Sequence, residues 1–283
     1  MGSPRTRKRF GQHWLRSESV LQKILSAANI GFGDRILEIG PGAGALTAAL
    51  VSSEATVVAV EIDRDLCRQL SDRFGSAPNF YLVEGDFLEL DLPAALSQQA
   101  KSYDHPLPNK VVANIPYYIT GPILEHLLGN LSAPNPCPYE SIVLLVQREV
   151  AERIYARPGS RTFGALSVRL QYLAECELVC SVPAKAFQPP PKVESAVVKL
   201  TPRPLATPAQ DPLFLEQLVK QGFASKRKML RNNLKDTLDR DRLTATMTGL
   251  DISPEARAED LGVAQWVALA NQLVLEQGES GCK

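Results

Sequence analysis

Between residues 35 and 174 short apolar runs alternate with amphipathic stretches, and that rhythm constrains the fold more than any other feature. Strands read at 35–40, 56–62, 79–84, 110–113 and 141–146. Helices read at 45–53, 64–74, 120–131, 147–155 and 164–174. A parallel strand pair needs a long crossover, and a helix is the usual one. The alternation therefore predicts an α/β chain with a mostly parallel, doubly wound sheet. A helix over 17–28, with Ser17 as N-cap, precedes the sheet. Extended stretches at 176–182 and 195–200 end it. A proline-rich loop joins these two, so they are expected to supply one antiparallel edge strand.

Composition shifts at Thr201-Pro202-Arg203-Pro204-Leu205-Ala206-Thr207-Pro208, where three prolines stiffen the chain. Two domains are expected, 1–204 and 205–283. The second reads as a small all-helical unit with helices at 212–224, 226–239 and 263–275.

The bulk numbers mainly exclude. Formal net charge is zero and pI is near 6.8, so a globally basic surface is out while local basic patches remain open. No apolar run reaches membrane-spanning length and no hydrophobic signal region follows Met1, so a cytoplasmic protein is expected. Five cysteines without metal spacing (Cys67, Cys137, Cys176, Cys180, Cys282) and only three histidines point to reduced thiols and no metal.

Glu38-Ile39-Gly40-Pro41-Gly42-Ala43-Gly44 lies between a strand and a helix. Glycines there let backbone approach a ligand where a Cβ would clash. Glu61 and Asp63 end the next strand, where a carboxylate can accept both ribose hydroxyls of a nucleoside. Asp86, in Gly85-Asp86-Phe87, ends the third strand. It can accept from an adenine amino group while Phe87 covers the ring; alone it reads equally as a turn cap. The spacing is G-x-G-x-G, not the G-x-G-x-x-G of dinucleotide sites. S-adenosylmethionine has no pyrophosphate and needs ribose acceptors, an adenine slot and partners for its methionine end. Three acidic strand ends in succession favour that cofactor.

Asn114-Ile115-Pro116-Tyr117 follows the apolar run Val111-Val112-Ala113. An amide, a rigid turn and a ring thus emerge together where open α/β sheets bind ligands. An amide with a stacking ring suits a nucleobase. Tyr118 reads equally as core or as lining. Farther on, Lys226-Arg227-Lys228-Met229-Leu230-Arg231 precedes Lys235. On a helix Arg227, Arg231 and Lys235 share a face, which favours phosphate contact over a solvated charge run. The arm from Arg5 to Arg9 is a second basic segment.

These stretches resemble the ribosomal RNA adenine N6,N6-dimethyltransferases, and their small-subunit branch in particular. Carrying the likeness are Phe10-Gly11-Gln12-His13-Trp14-Leu15, Leu37–Gly42, Glu61-Ile62-Asp63, Gly85-Asp86, the Asn114 tetrapeptide, and the run from Phe187 through Pro189-Pro190-Pro191-Lys192-Val193-Glu194-Ser195 to Val198. The likeness covers almost the whole chain. It implies a Rossmann-like methyltransferase sheet and S-adenosylmethionine held by His13, Leu15, Gly40, Glu61, Asp86 and Asn114. The family's first motif usually reads Phe-Gly-Gln-Asn-Phe-Leu; here His13 and Trp14 stand in place of Asn and Phe. Catalytic positions fall on Asn114, Pro116, Tyr117 and Phe187, the last as a second stacking face. The implied reaction dimethylates two adjacent adenosines near the 3′ end of small-subunit rRNA, by a monomer acting on a pre-30S-like particle without membrane or metal. The rivals are the related large-subunit methyltransferase, a non-catalytic assembly or transcription factor on the same fold, and a small-molecule methyltransferase.

Overall fold

The computed structural model describes residues 13–98 and 103–280. The basic arm of Arg5 to Arg9 and Cys282 lie outside them. The described chain groups into two units. One holds residues up to 127 together with 137–151 and 177–202. The other holds 128–136, 152–176 and the chain from 203 onward.

The first unit opens with β1 (Trp14–Leu15) and α1 (Glu18–Ala28). It then alternates through β2 (Arg35–Ile39), α2 (Ala45–Val51), β3 (Thr56–Glu61), α3 (Arg64–Phe74), β4 (Phe80–Glu84), α4 (Leu92–Gln98) and β5 (Lys110–Asn114). A 3₁₀ turn at Tyr117–Ile119 leads into α5 (Thr120–Leu128), followed by β6 (Ser141–Gln147) and α6 (Arg148–Ile154). After α7 (Ala165–Leu173) come β7 (Ala174–Val182), β8 (Phe187–Gln188) and β9 (Ser195–Pro202).

Seven strands form one sheet in the order β4-β3-β2-β5-β6-β9-β7. The run β4-β3-β2-β5-β6 is parallel throughout, and β9 runs antiparallel to β6. The antiparallel strand thus sits one place in, with β7 outermost. Val57, Val58, Ala59 and Val60 of β3 are all at most 2% exposed, as expected of a parallel strand covered on both faces. Helix α1 turns Val20, Leu21, Ile24 and Ala28 inward, a helical spacing that buries one stripe. Strand order reverses between β2 and β5. Open α/β sheets bind ligands at such a switch point, outside the strands' carboxyl ends. β1 and β8 form a separate two-stranded ribbon, pairing Trp14 with Gln188 and Leu15 with Phe187.

The second unit holds α7, α8 (Pro212–Gly222), α9 (Leu230–Asn233), α10 (Arg240–Gly249) and α11 (Val263–Ser280). Asp211 and Asp239 cap α8 and α10 by accepting the N–H groups of Phe214 and Arg242. Trp266 of α11 is fully buried, and a Cβ on Gly222 would come within 2.5 Å of its ring. That contact needs glycine at the end of α8.

One expected helix is not there. Residues 226–239 do not form a single helix: 226–228 turn, Met229 bridges to Arg257, and α9 spans only Leu230–Asn233. The Asn233 amide donates to the carbonyls of Gly222 and Ser225, and the Leu230 N–H donates to Ala256. These bonds satisfy the backbone locally and outcompete a helix. Arg227, Arg231 and Lys235 therefore share no helical face.

Candidate active site

The loop after β2 turns on three glycines. Gly40, Gly42 and Gly44 all have positive φ (66°, 59° and 77°), a region that side-chain-bearing residues avoid. At Gly42 the space is also taken, since an added Cβ would lie 2.4 Å from the Trp14 ring.

Glu61, at the end of β3, pins this loop. Its Oε2 accepts the Gly42 N–H at 3.1 Å, and its Oε1 accepts the N–H groups of Ile62 and Asp63 at 3.0 and 2.9 Å. Burial raises its pKa, opposed by these three donors. The acidic pair read from the sequence divides its labour. Glu61 lines the cavity, while Asp63 is the N-cap of α3 and accepts the Asp65 N–H.

Glu38 is deeper, 1% exposed on β2, and no single motif reading had assigned it a contact. Its Oε2 and the hydroxyl of Thr47 are buried without hydrogen-bond partners among the described residues. Burial pushes its carboxyl up to about 8; the nearby Thr47 hydroxyl opposes the shift and the charge of Glu61 adds to it. Folded Glu38 thus keeps its proton up to about pH 8, whereas in the unfolded chain it gives the proton up near 4.5. The folded state binds the extra proton between those values, so stability falls as pH rises through that window. Denaturant midpoints between pH 5.5 and 7.5 should show the wild type losing up to ~1.4 kcal/mol per pH unit relative to Glu38→Gln. A difference that does not vary with pH would mean Glu38 is ionised in the folded protein.

Asp86 follows β4. Its Oδ1 accepts the Leu88 N–H at 3.0 Å, so it does cap a turn, and it also lines the cavity. Phe87 beside it is buried edge-on against His126, with ring centroids 4.7 Å apart.

Asn114 is the last residue of β5, in register with Leu145 of β6. Ile115 then turns into the core at 1% exposed. The Pro116 carbonyl accepts the Ile119 N–H at 3.3 Å in the following turn. Tyr117 is fixed from two sides. Its hydroxyl is 2.6 Å from Oγ of Ser195, a fully buried residue at the start of β9. Its ring stacks loosely on His13, with centroids 6.1 Å apart and planes 23° apart. His13 Nδ1 donates to the Pro189 carbonyl at 2.8 Å, which leaves Nε2 for another partner.

One cavity joins these parts. His13, Leu15, Gly40, Glu61, Asp86, Asn114, Pro116 and Tyr117 all line it. The glycine loop and the tetrapeptide lie close together, since a Cβ added to Gly40 would sit 3.6 Å from Pro116 Cδ. The cavity's volume of about 180 Å³ is some ten times the ~15 Å³ one water needs, so it admits an organic ligand. A nucleoside cofactor fits the residues present. The glycine cradle gives backbone access, Glu61 retains acceptor capacity, and buried Glu38 has an unpartnered oxygen in the wall. Among the described residues no group of three or more His, Cys, Asp or Glu side chains is placed to hold a metal.

Phe187 is not brought to this wall. It is 4% exposed and packs in the core, paired with Leu15 across the β1–β8 ribbon. Arg227, Arg231 and Lys235 belong to the second unit; Arg227 and Lys235 are exposed and Arg231 is half-buried. Sequence reading passed over Ser195, Glu38 and Trp14 as contacts. Ser195 is 78 positions from Tyr117, and no spacing rule joins them.

Comparison with known proteins gives a consistent answer. The family model described as ribosomal RNA adenine dimethylase matches residues 4–274. A protein of Nostoc sp. (strain PCC 7120) named ribosomal RNA small subunit methyltransferase A is 60% identical over 96% of this chain and 99% of its own. The protein of that name from Acaryochloris marina is 58% identical over 95% of this chain and 98% of its own. Among solved structures, a dimethyladenosine transferase from Plasmodium falciparum superposes with a TM-score of 0.73 at 26% identity, covering 95% and 98% of the two chains. The 23S rRNA methyltransferase ErmE gives 0.71 at 27%, covering 92% and 99%. With a glycine cradle, the Glu61 carboxylate and an Asn-Ile-Pro-Tyr turn gathered on one cavity, and a family model matched over residues 4–274, the chain belongs to the ribosomal RNA adenine dimethylase family.

Proposed function

We propose that the protein dimethylates N6 of two adjacent adenosines in a hairpin loop near the 3′ end of small-subunit rRNA, using S-adenosylmethionine, during assembly of the small subunit. The observation that carries this reading is that the glycine loop and the Asn114 turn line one cavity, close enough that a Cβ added to Gly40 would lie 3.6 Å from Pro116 Cδ. Relatives near 60% identity carry the small-subunit name, whereas the large-subunit enzyme's structure shares 27%.

When bound, S-adenosylmethionine supplies an electrophilic methyl group on a sulfonium. Glu61 accepts its ribose hydroxyls and Asp86 its adenine amino group. Gly40, Leu15 and His13 line the remaining wall. The target amine is a poor nucleophile because its lone pair is delocalised into the ring. The Asn114 side-chain carbonyl and the Ile115 or Pro116 carbonyl accept its N–H groups, orienting the nitrogen and favouring the positive charge that grows on it. Pro116 brings no N–H to compete and stiffens the turn. Tyr117, held by Ser195, stacks on the adenine face. Catalysis is largely alignment of nitrogen, methyl and sulfur. The cofactor would supply the methyl group and retain the electron pair on sulfur, and because the tetrapeptide offers no side-chain base the extra proton on nitrogen would pass to water. Phe187 acts from behind the wall, through Leu15, rather than as a second stacking face.

Exposed Lys226, Arg227, Lys228 and Lys235, with Arg231 partly covered, offer phosphate contacts in the helical unit as a local cluster instead of a helical stripe. The protein acts as a monomer in the cytoplasm. Among the described residues no helix is long and apolar enough to cross a membrane.

The test is mass spectrometry of rRNA after incubating the protein and methyl donor with small subunits that lack the modification. Two N6,N6-dimethyladenosines near the 3′ end are expected. Methyl groups only on large-subunit rRNA, or on no RNA, would overturn the reading.

A further inference from the structure

Tyr118 is 61% exposed yet lines the cavity that Tyr117 closes from within. Single exposed apolar residues are common and usually mean nothing. Phe32, 93% exposed, is such a case, since it lies outside the cavity wall. Tyr118 differs by its place. It is next in sequence to the proposed stacking ring, on a 3₁₀ turn of Tyr117–Ile119. With three residues per turn, successive side chains point about 120° apart. Tyr117 is committed inward to Ser195 and His13, so its neighbour must face the lip. Gly121 and Pro122, which follow in the chain, are also exposed. Pro116, with φ −60° and ψ 133°, stiffens the entry to this turn.

A base drawn into the cavity pulls the adjoining nucleotides to the lip, unstacked and in need of a flat partner. We propose that Tyr118 is a positioning residue that stacks on the nucleobase next to the target adenine. The proposal rests on the RNA reading above. It gives the protein a way to hold two neighbouring bases at once, one against Tyr117 and one against Tyr118. An exposed ring is also cheap to dock on, because its apolar face is already in water and two χ angles fix it.

The test is steady-state methyl transfer to unmodified small subunits by the wild type, Tyr118→Ala and Tyr118→Phe, with cofactor affinity measured separately. One base–aromatic stack is worth about a 5- to 150-fold change in affinity. Tyr118→Ala should raise the KM for the subunit within that range, leave kcat and cofactor Kd near wild type, and be rescued by Tyr118→Phe. Three results overturn the proposal. An unchanged KM in Tyr118→Ala shows that no stack is made. A lower kcat at unchanged KM shows that the side chain merely supports the turn of Tyr117. A phenylalanine variant as weak as alanine shows that the hydroxyl, not the ring face, is recognised. If the wild type itself transfers no methyl group to either ribosomal subunit, the RNA reading falls first, and this one with it.

Discussion

Replacing Asn114 with alanine is expected to lower methyl transfer at least 10²–10³-fold, the loss typical when one preorganised polar contact to developing charge is removed. Asn114 ends β5 with its backbone in register with Leu145, while Val111, Val112 and Ala113 before it carry the burial at no more than 1% exposed. Truncating the amide therefore removes an acceptor at the cavity and little of the core. Single-turnover rates at saturating subunit and cofactor read the chemical step, and a thermal melt confirms the fold. A rate like that of the wild type would remove Asn114 from the mechanism. Weaker binding of the subunit with an unchanged rate would make it a docking contact.

Glu61→Ala should be more severe and act on two levels. The substitution leaves the N–H groups of Gly42, Ile62 and Asp63 without their carboxylate acceptor. Each buried donor left unmade costs about 1–3 kcal/mol, and the Gly42 and Asp63 bonds are buried while that of Ile62 is partly open to water, so a loss of about 2 kcal/mol or more is expected. The glycine loop is also freed from β3. Because the same carboxylate is the proposed ribose acceptor, cofactor affinity should drop at least ~100-fold, the scale of about 3 kcal/mol lost from charge-assisted hydrogen bonds. Titration calorimetry with S-adenosylhomocysteine and a denaturant melt separate the two effects. A destabilised variant that still binds normally would confine Glu61 to a structural role. Glu61→Gln should fall between, because its amide nitrogen meets a backbone N–H where the carboxylate offered a second acceptor.

The sheet was legible because its central strands are almost wholly buried and its helices expose one side. That contrast produces readable apolar runs between amphipathic ones, and α3 falls on 64–74 as its spacing predicts. The two-residue strands β1 and β8 have no period to read, and they exist only because residues 172 and 174 positions apart meet. The expected helix over 226–239 failed for a related reason. A four-residue charge spacing says which side chains share a face if a helix forms, not whether one does. Asn233 decided that by binding the carbonyls of Gly222 and Ser225. Within the site, the residues at the ends of β2, β3, β4 and β5 could be anticipated, since a topological switch point gathers strand ends. Contacts made from behind could not. Ser195 on Tyr117 and Trp14 on Gly42 join distant stretches, and Phe187 reads the same in sequence whether its ring faces a ligand or the core.

The closeness of Gly40 and Pro116 has a consequence for how such an enzyme changes. Both lie on backbone with restricted freedom, one a glycine at positive φ and the other a proline. The spacing of the two turns is therefore set by main chain, and in the proposed reaction the Asn114 amide and the Tyr117 ring orient the acceptor on top of it. The recognition proposed above sits elsewhere, on the lip at Tyr118 and on the surface of the helical unit. Selection can thus redraw which RNA is seen by altering exposed side chains, as long as the two turns stay close and their spacing is inherited intact.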